Sequence, residues 1–204
     1  MAQWTKWPQK QEKLDRLRTS TTSHTSTCNR NHGHIHIARQ QDNKTAISGF
    51  EMTNIICTSL DESYASFEYC YLKSVNRTHK YASLRAKLHK GPVYKIKVNF
   101  AIYQRLNGYK PFLYNVTVDG CKFILNQKSS PVTSFIFNLF APYSNMNHSC
   151  PYDNDIIVEK VPYSYLNGQL STVLPFPKSS YAFCSDWYSD KIKRASVNVH
   201  ATIT

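Results

Sequence analysis

The sequence predicts an all-β protein, a sandwich or cup of about eight antiparallel strands with one short helix near 132–140. Three observations carry this. Apolar and polar residues alternate with period two through most of the chain after residue 50. Turn signals rich in glycine and proline separate the alternating runs. A single stretch switches to helical spacing. Strands with one apolar and one polar face are the pattern of antiparallel sheets.

The elements follow in order. Strands are expected at about 51–57 and 64–74. In Tyr81–His89, Ala82, Leu84, Ala86 and Leu88 share one face and oppose Tyr81, Ser83, Arg85, Lys87 and His89. In Lys95–Tyr103, Ile96, Val98, Phe100 and Ile102 oppose Lys95, Lys97 and Asn99. Further strands are expected at about 111–118, 155–161 and 181–188. At the C-terminus Val197, Val199, Ala201 and Ile203 oppose Ser196, Asn198, His200 and Thr202. The turn signals are Lys90-Gly91-Pro92, Asn107-Gly108, Asp119-Gly120, Asn167-Gly168 and Pro175-Phe176-Pro177. Between Pro131 and Phe140 the apolar residues Val132, Phe135, Ile136 and Leu139 fall at i, i+3, i+4 and i+7 behind a Ser-Ser-Pro entry, which predicts the helix.

Composition divides the 204 residues in two. All 14 Tyr and all 10 Phe lie after residue 49, and the stretch from Thr19 to Thr27 is almost entirely Ser and Thr. Residues 1–45 therefore read as a polar, disordered leader, because such a segment buries too little apolar surface to offset its ordering entropy. Residues 46–204 read as the globular domain. The best apolar run in the leader, Ile35–Ala38, is too short for a secretory signal, so the leader is atypical of a secreted protein.

Several function classes recede. No run approaches the roughly 18 apolar residues of a membrane helix. The formal charge of +12 permits an anionic partner, but no arginine-rich run or finger motif supports nucleic acid. The densest basic cluster is Lys191–Arg194, and solvated strand faces explain the rest. A weaker reading puts basic groups at the mouth of a cup, facing anionic lipid headgroups. His32, His34 and His36 alternate in the leader without the fixed geometry a metal site needs, so no metal or cofactor is expected. Asp153 and Asp155 lack the glycine and terminal glutamate of a calcium loop. No Gly-x-Ser-x-Gly elbow or other nucleophile context is present, and no enzymatic activity is expected.

The six cysteines are Cys28, Cys57, Cys70, Cys121, Cys150 and Cys184, none in a Cys-x-x-Cys pair. Spacing alone leaves disulfides of a secreted protein and free buried thiols equally open. Four sequons begin at Asn43, Asn76, Asn115 and Asn147, weak evidence in a chain this rich in Asn, Ser and Thr. Aromatic residues at alternating positions fit either an ordinary core or a lined pocket.

Four blocks carry a family resemblance. They are Asn54–Asp61 with Phe67–Arg77, Tyr109–Phe123, His148–Ile156, and Leu174-Pro175-Phe176-Pro177. In order and spacing the chain from about Phe50 onward resembles a large insect family of small secreted proteins of unknown function, grouped with MD-2-related lipid-recognition (ML) domains. The resemblance implies an immunoglobulin-like sandwich whose sheets splay to admit an apolar ligand. It also implies a lipid or other hydrophobic small molecule as partner, a chemosensory setting with a possible receptor protein, secretion, and no catalysis. It tips the aromatic residues toward a pocket lined by Phe67, Phe100, Phe112, Phe135 and Phe137, with the helix as rim or lid. The matched cysteines are Cys57, Cys70, Cys121 and Cys150. Three connectivities are open to them, and locality favours Cys57 with Cys70, flanking one hairpin, and Cys121 with Cys150, enclosing the helical insertion. Secretion would make Asn76 and Asn115 glycosylation candidates. The alternative is an extracellular protein-interaction module with a filled core. Cys184 stands where the family usually has another residue and lacks a partner unless Cys28 or a second chain supplies one.

Overall fold

The computed structural model describes residues 49–173 and 176–204. The expected leader, with Cys28, and the sequon at Asn43 lie outside the described residues.

Eight strands form: β1 (Phe50–Ser59), β2 (Ala65–Ser74), β3 (Lys80–Leu88), β4 (Lys97–Leu106), β5 (Gly108–Asp119), β6 (Ile156–Pro162), β7 (Ser179–Ser189) and β8 (Ile192–Ile203). Every predicted strand is present. They make a five-stranded sheet in the order β1-β8-β7-β4-β5 and a three-stranded sheet in the order β2-β3-β6. All pairings are antiparallel. The fold is an all-β sandwich.

Local chemistry fixes the hairpins. β4 turns into β5 at Gly108, whose φ of +88° suits a residue without a side chain. β7 turns into β8 through Asp190 and Lys191, both at positive φ (50° and 67°). That is the backbone a two-residue hairpin needs to match strand twist. Registry in this hairpin slips between Trp187 and Tyr188: Trp187 pairs with Ala195 and Tyr188 with Lys193, so Arg194 is the extra residue of a β-bulge.

Among the described residues three α-helices, not one, join the strands: α1 (Gly120–Leu125), α2 (Pro131–Asn138) and α3 (Tyr163–Val173). The helix expected near 132–140 is α2. The other two hide behind turn signals. Asp119-Gly120 opens α1, with the Asp119 side chain accepting from the Lys122 amide at 3.1 Å as a cap. Asn167-Gly168 sits inside α3, where Leu166 and Leu170, at i and i+4, pack against the core and offset the cost of an interior glycine.

The core is split into two clusters. One gathers Phe50, Met52, Ile102, Tyr181, Ala201 and Ile203 with Leu170 of α3. The other gathers Tyr64, Val93, Phe123, Phe137, Met146 and Tyr152. Two disulfides brace the sandwich. Cys121 of α1 joins Cys150, just before β6, and encloses α2. Cys57 joins Cys70 with their Cα atoms 6.1 Å apart. The hairpin expected between them does not exist: β1 pairs with β8, β2 pairs with β3, and the bridge ties one sheet to the other.

Candidate functional site

Between the two core clusters lies a cavity of about 300 Å³. Protein interiors are packed as tightly as organic crystals, and voids much larger than a water molecule are few.

Its walls come from both sheets. Ala82, Leu84, Ala86 and Leu88 line it from β3, the face that alternation assigns to the interior. Val197 and Val199 line it from β8, and Phe100 and Ile102 from β4. Helix α2 and its C-cap close one side with Val132, Phe135, Ile136 and Leu139, the full stripe that helical spacing predicts. Leu166 and Leu170 of α3 contribute as well.

Of the five aromatic residues expected in a pocket, Phe67, Phe100 and Phe135 line the cavity. Phe137 does not. Two residues beyond Phe135, it lies about 200° further round the helix. There it packs edge-on against Phe123 at 5.6 Å and lines a separate space of about 40 Å³. Phe112 does not line the cavity either. Its ring packs against Tyr181 at 5.5 Å and Phe176 at 6.0 Å, and Phe176 supplies the wall in its place. Trp187 lines both spaces and was not singled out by its sequence context.

Among the described residues, the cavity lining contains one charged side chain, Arg194. Strand alternation would turn position 194 outward with Ser196 and Asn198. The bulge breaks that alternation, and the guanidinium instead lies over the Tyr64 ring, 4.1 Å from its centroid. It pairs with Asp61, which also accepts from the Ser63 hydroxyl at 2.7 Å. The Tyr64 hydroxyl donates to Ser189 at 2.8 Å. The Arg194 Nε is buried and has no hydrogen-bond partner among the described residues. Apart from this cluster the surroundings are mostly apolar, so the site can hold an apolar chain.

Among the described residues the cavity walls carry no His, Asp or Glu side chain. Among the described residues no group of three or more His, Cys, Asp or Glu side chains could hold a metal ion. No helix among them is long and apolar enough to cross a membrane.

The expected modification sites are at the surface. Asn76 is exposed in the β2–β3 turn, where its Oδ1 accepts from the amides of Thr78 at 2.9 Å and His79 at 2.7 Å. Asn115 is exposed on the edge strand β5 and accepts from Asn99 Nδ2 at 2.8 Å. Cys184, on β7, has no disulfide partner among the described residues; burial pushes its thiol pKa up, with the Asp186 carboxylate adding to the shift.

Residues 98–183 match a family described as a protein of unknown function (DUF1091). That span includes three of the four blocks that carry the resemblance noted in the sequence; Asn54–Arg77 precedes it. No curated protein matches the chain. Among solved structures the chain is similar to a Niemann-Pick type C2 protein from the Japanese carpenter ant. The identity is 17%, over 76% of this chain and 92% of that one, with a TM-score of 0.33.

Proposed function

We propose that this chain is a non-catalytic binding protein that holds a lipid or other hydrophobic small molecule between its two sheets. The observation that carries the reading is the apolar cavity of about 300 Å³, walled by both sheets and by the apolar stripe of α2. Each methylene moved from water into it contributes about 0.8 kcal/mol, so a medium-length chain supplies useful affinity without any reactive group. The same space counts against an interaction module with a filled core.

The two disulfides support an oxidising, extracellular location. Membership in the insect ML-grouped family, a chemosensory task and delivery to a receptor protein follow from the sequence resemblance and belong to this reading as expectations. So do the polar leader over 1–45 and the glycosylation of Asn76 and Asn115.

Binding of N-phenyl-1-naphthylamine to the full chain, followed by fluorescence, tests the proposal. Phe135→Asp places a carboxylate on the cavity wall and should weaken the probe at least tenfold, since burying an unpaired charge is costly. Leu125→Asp, at a position 76% exposed, should leave binding unchanged. Equal binding by a folded Phe135→Asp protein would refute the site.

A further inference from the structure

We propose that the surface formed by α1 and the connection between β3 and β4 docks on an anionic lipid membrane. This goes beyond the reading of the cavity and does not depend on it.

The surface is built from two segments braced against each other. Tyr94 and Lys95 lie just before β4, and Lys122 and Leu125 lie on α1. The Gly120 amide donates to the Ile96 carbonyl at 2.8 Å, and the Cys121 sulfur lies 3.2 Å from the Tyr94 carbonyl oxygen. The Cys121–Cys150 bridge anchors α1 in turn. Leu125 is 76% exposed and Tyr94 64%, and no large apolar side chain among the described residues is more exposed than Leu125. Apolar residues scattered singly over a surface are ordinary. Here two are presented together from segments that are tied to one another.

The charge around them is one-sided. Lys95, Lys97, Lys122 and Lys128 are exposed, and none forms an ion pair among the described residues. Two carboxylates stand against these four cations. Asp119 is opposite Lys97 in the pairing of β4 with β5, and its side chain is engaged by the Lys122 amide. Asp153 lies beside Gly91.

Apolar tips among lysines fit the headgroup region of an anionic bilayer. Leu125 can enter it, a tyrosine suits its boundary, and lysine ammonium groups meet the phosphates. A sulfated polysaccharide would engage the lysines and leave Leu125 and Tyr94 idle. The surface also adjoins the cavity, since Val93 and Ile96 line it from the same segment. Docking would set that wall beside the bilayer.

Flotation of the full chain with phosphatidylcholine vesicles, with and without phosphatidylserine, tests the proposal. Binding should require phosphatidylserine and should weaken as salt rises. Lys95→Gln, Lys122→Gln and Lys128→Gln combined should weaken it on the order of a hundredfold, about fivefold for each lysine. Leu125→Ser and Tyr94→Ser should each weaken it several-fold without moving the thermal midpoint. Leu106→Ser with Lys110→Gln makes the same kind of change at the β4–β5 turn, where Leu106 is also 64% exposed, and should alter nothing. Residues 1–45 are common to all these proteins, so the differences report this surface. Binding of N-phenyl-1-naphthylamine without vesicles should be equal in all of them, which separates a failure of docking from a failure of the cavity reading. Absence of binding to phosphatidylserine vesicles, or binding that survives the triple lysine variant, would overturn the proposal. So would tighter binding to heparin than to vesicles, unchanged by Leu125→Ser and Tyr94→Ser, which would assign the lysines to a polysaccharide.

Discussion

Cys57 and Cys70 join strands that hydrogen-bond to different sheets, so the bridge between them crosses the sandwich. It holds together the two walls of the cavity, β1 on one side and β2 on the other. In a protein whose interior is partly unfilled, such a tie substitutes for packing that is absent.

Removing this bridge with Cys57→Ala and Cys70→Ala should cost about 3 kcal/mol, and removing Cys121–Cys150, which closes the longer loop, slightly more. Urea denaturation of the oxidised chain and each double variant checks both values. Unchanged stability would mean that the crosslinks constrain nothing the fold does not already hold.

Ala86 lines the cavity from β3. Ala86→Leu should fill part of the space and raise the stability of ligand-free protein by on the order of 1 kcal/mol, while weakening binding of an apolar probe. In a filled core the same change overpacks and destabilises. The sign of the shift in thermal midpoint decides between these pictures.

The Ser63 hydroxyl, followed by Arg194, holds the Asp61 carboxyl below the usual carboxylate range, against the opposing effect of burial. A depressed folded-state pKa contributes stability that is present above the unfolded carboxylate range and is lost as pH falls through the folded value. Stability measured from neutral pH down to pH 3 should therefore fall less steeply in Asp61→Asn than in the unmodified protein. Parallel curves would mean that Asp61 gains nothing from its partners on folding.

Cys184 should react slowly with iodoacetamide while the protein is folded, because burial and Asp186 disfavour its thiolate. Its rate, followed by mass spectrometry of the Cys184 peptide, should rise to that of a free thiol in urea. A fast reaction in the folded protein would contradict its half-buried position.

Much of the cavity was legible in the sequence. Alternation on β3 selects Ala82, Leu84, Ala86 and Leu88, and helical spacing on α2 selects Val132, Phe135, Ile136 and Leu139; all eight line the space. These residues obey simple periods, and burial follows period. Phe137 was grouped with Phe135 by residue type, although helix geometry turns it to the other side. Phe112 depends on where Phe176 lands, a long-range contact that local pattern does not contain. Helix α3 forms across an Asn-Gly pair because tertiary packing of Leu166 and Leu170 overrides local propensity. Arg194 was hidden most thoroughly. Its inward turn comes from a one-residue bulge, and registry is decided by pairing with β7.

The central claim is that the space between the sheets exists to be occupied. Native mass spectrometry of the full chain, secreted from insect cells behind an added signal peptide, tests it most directly. The account predicts a discrete adduct that disappears on organic extraction and is replaced by one equivalent of added N-phenyl-1-naphthylamine. A clean mass for the oxidised, folded chain that acquires no adduct from added N-phenyl-1-naphthylamine would contradict it.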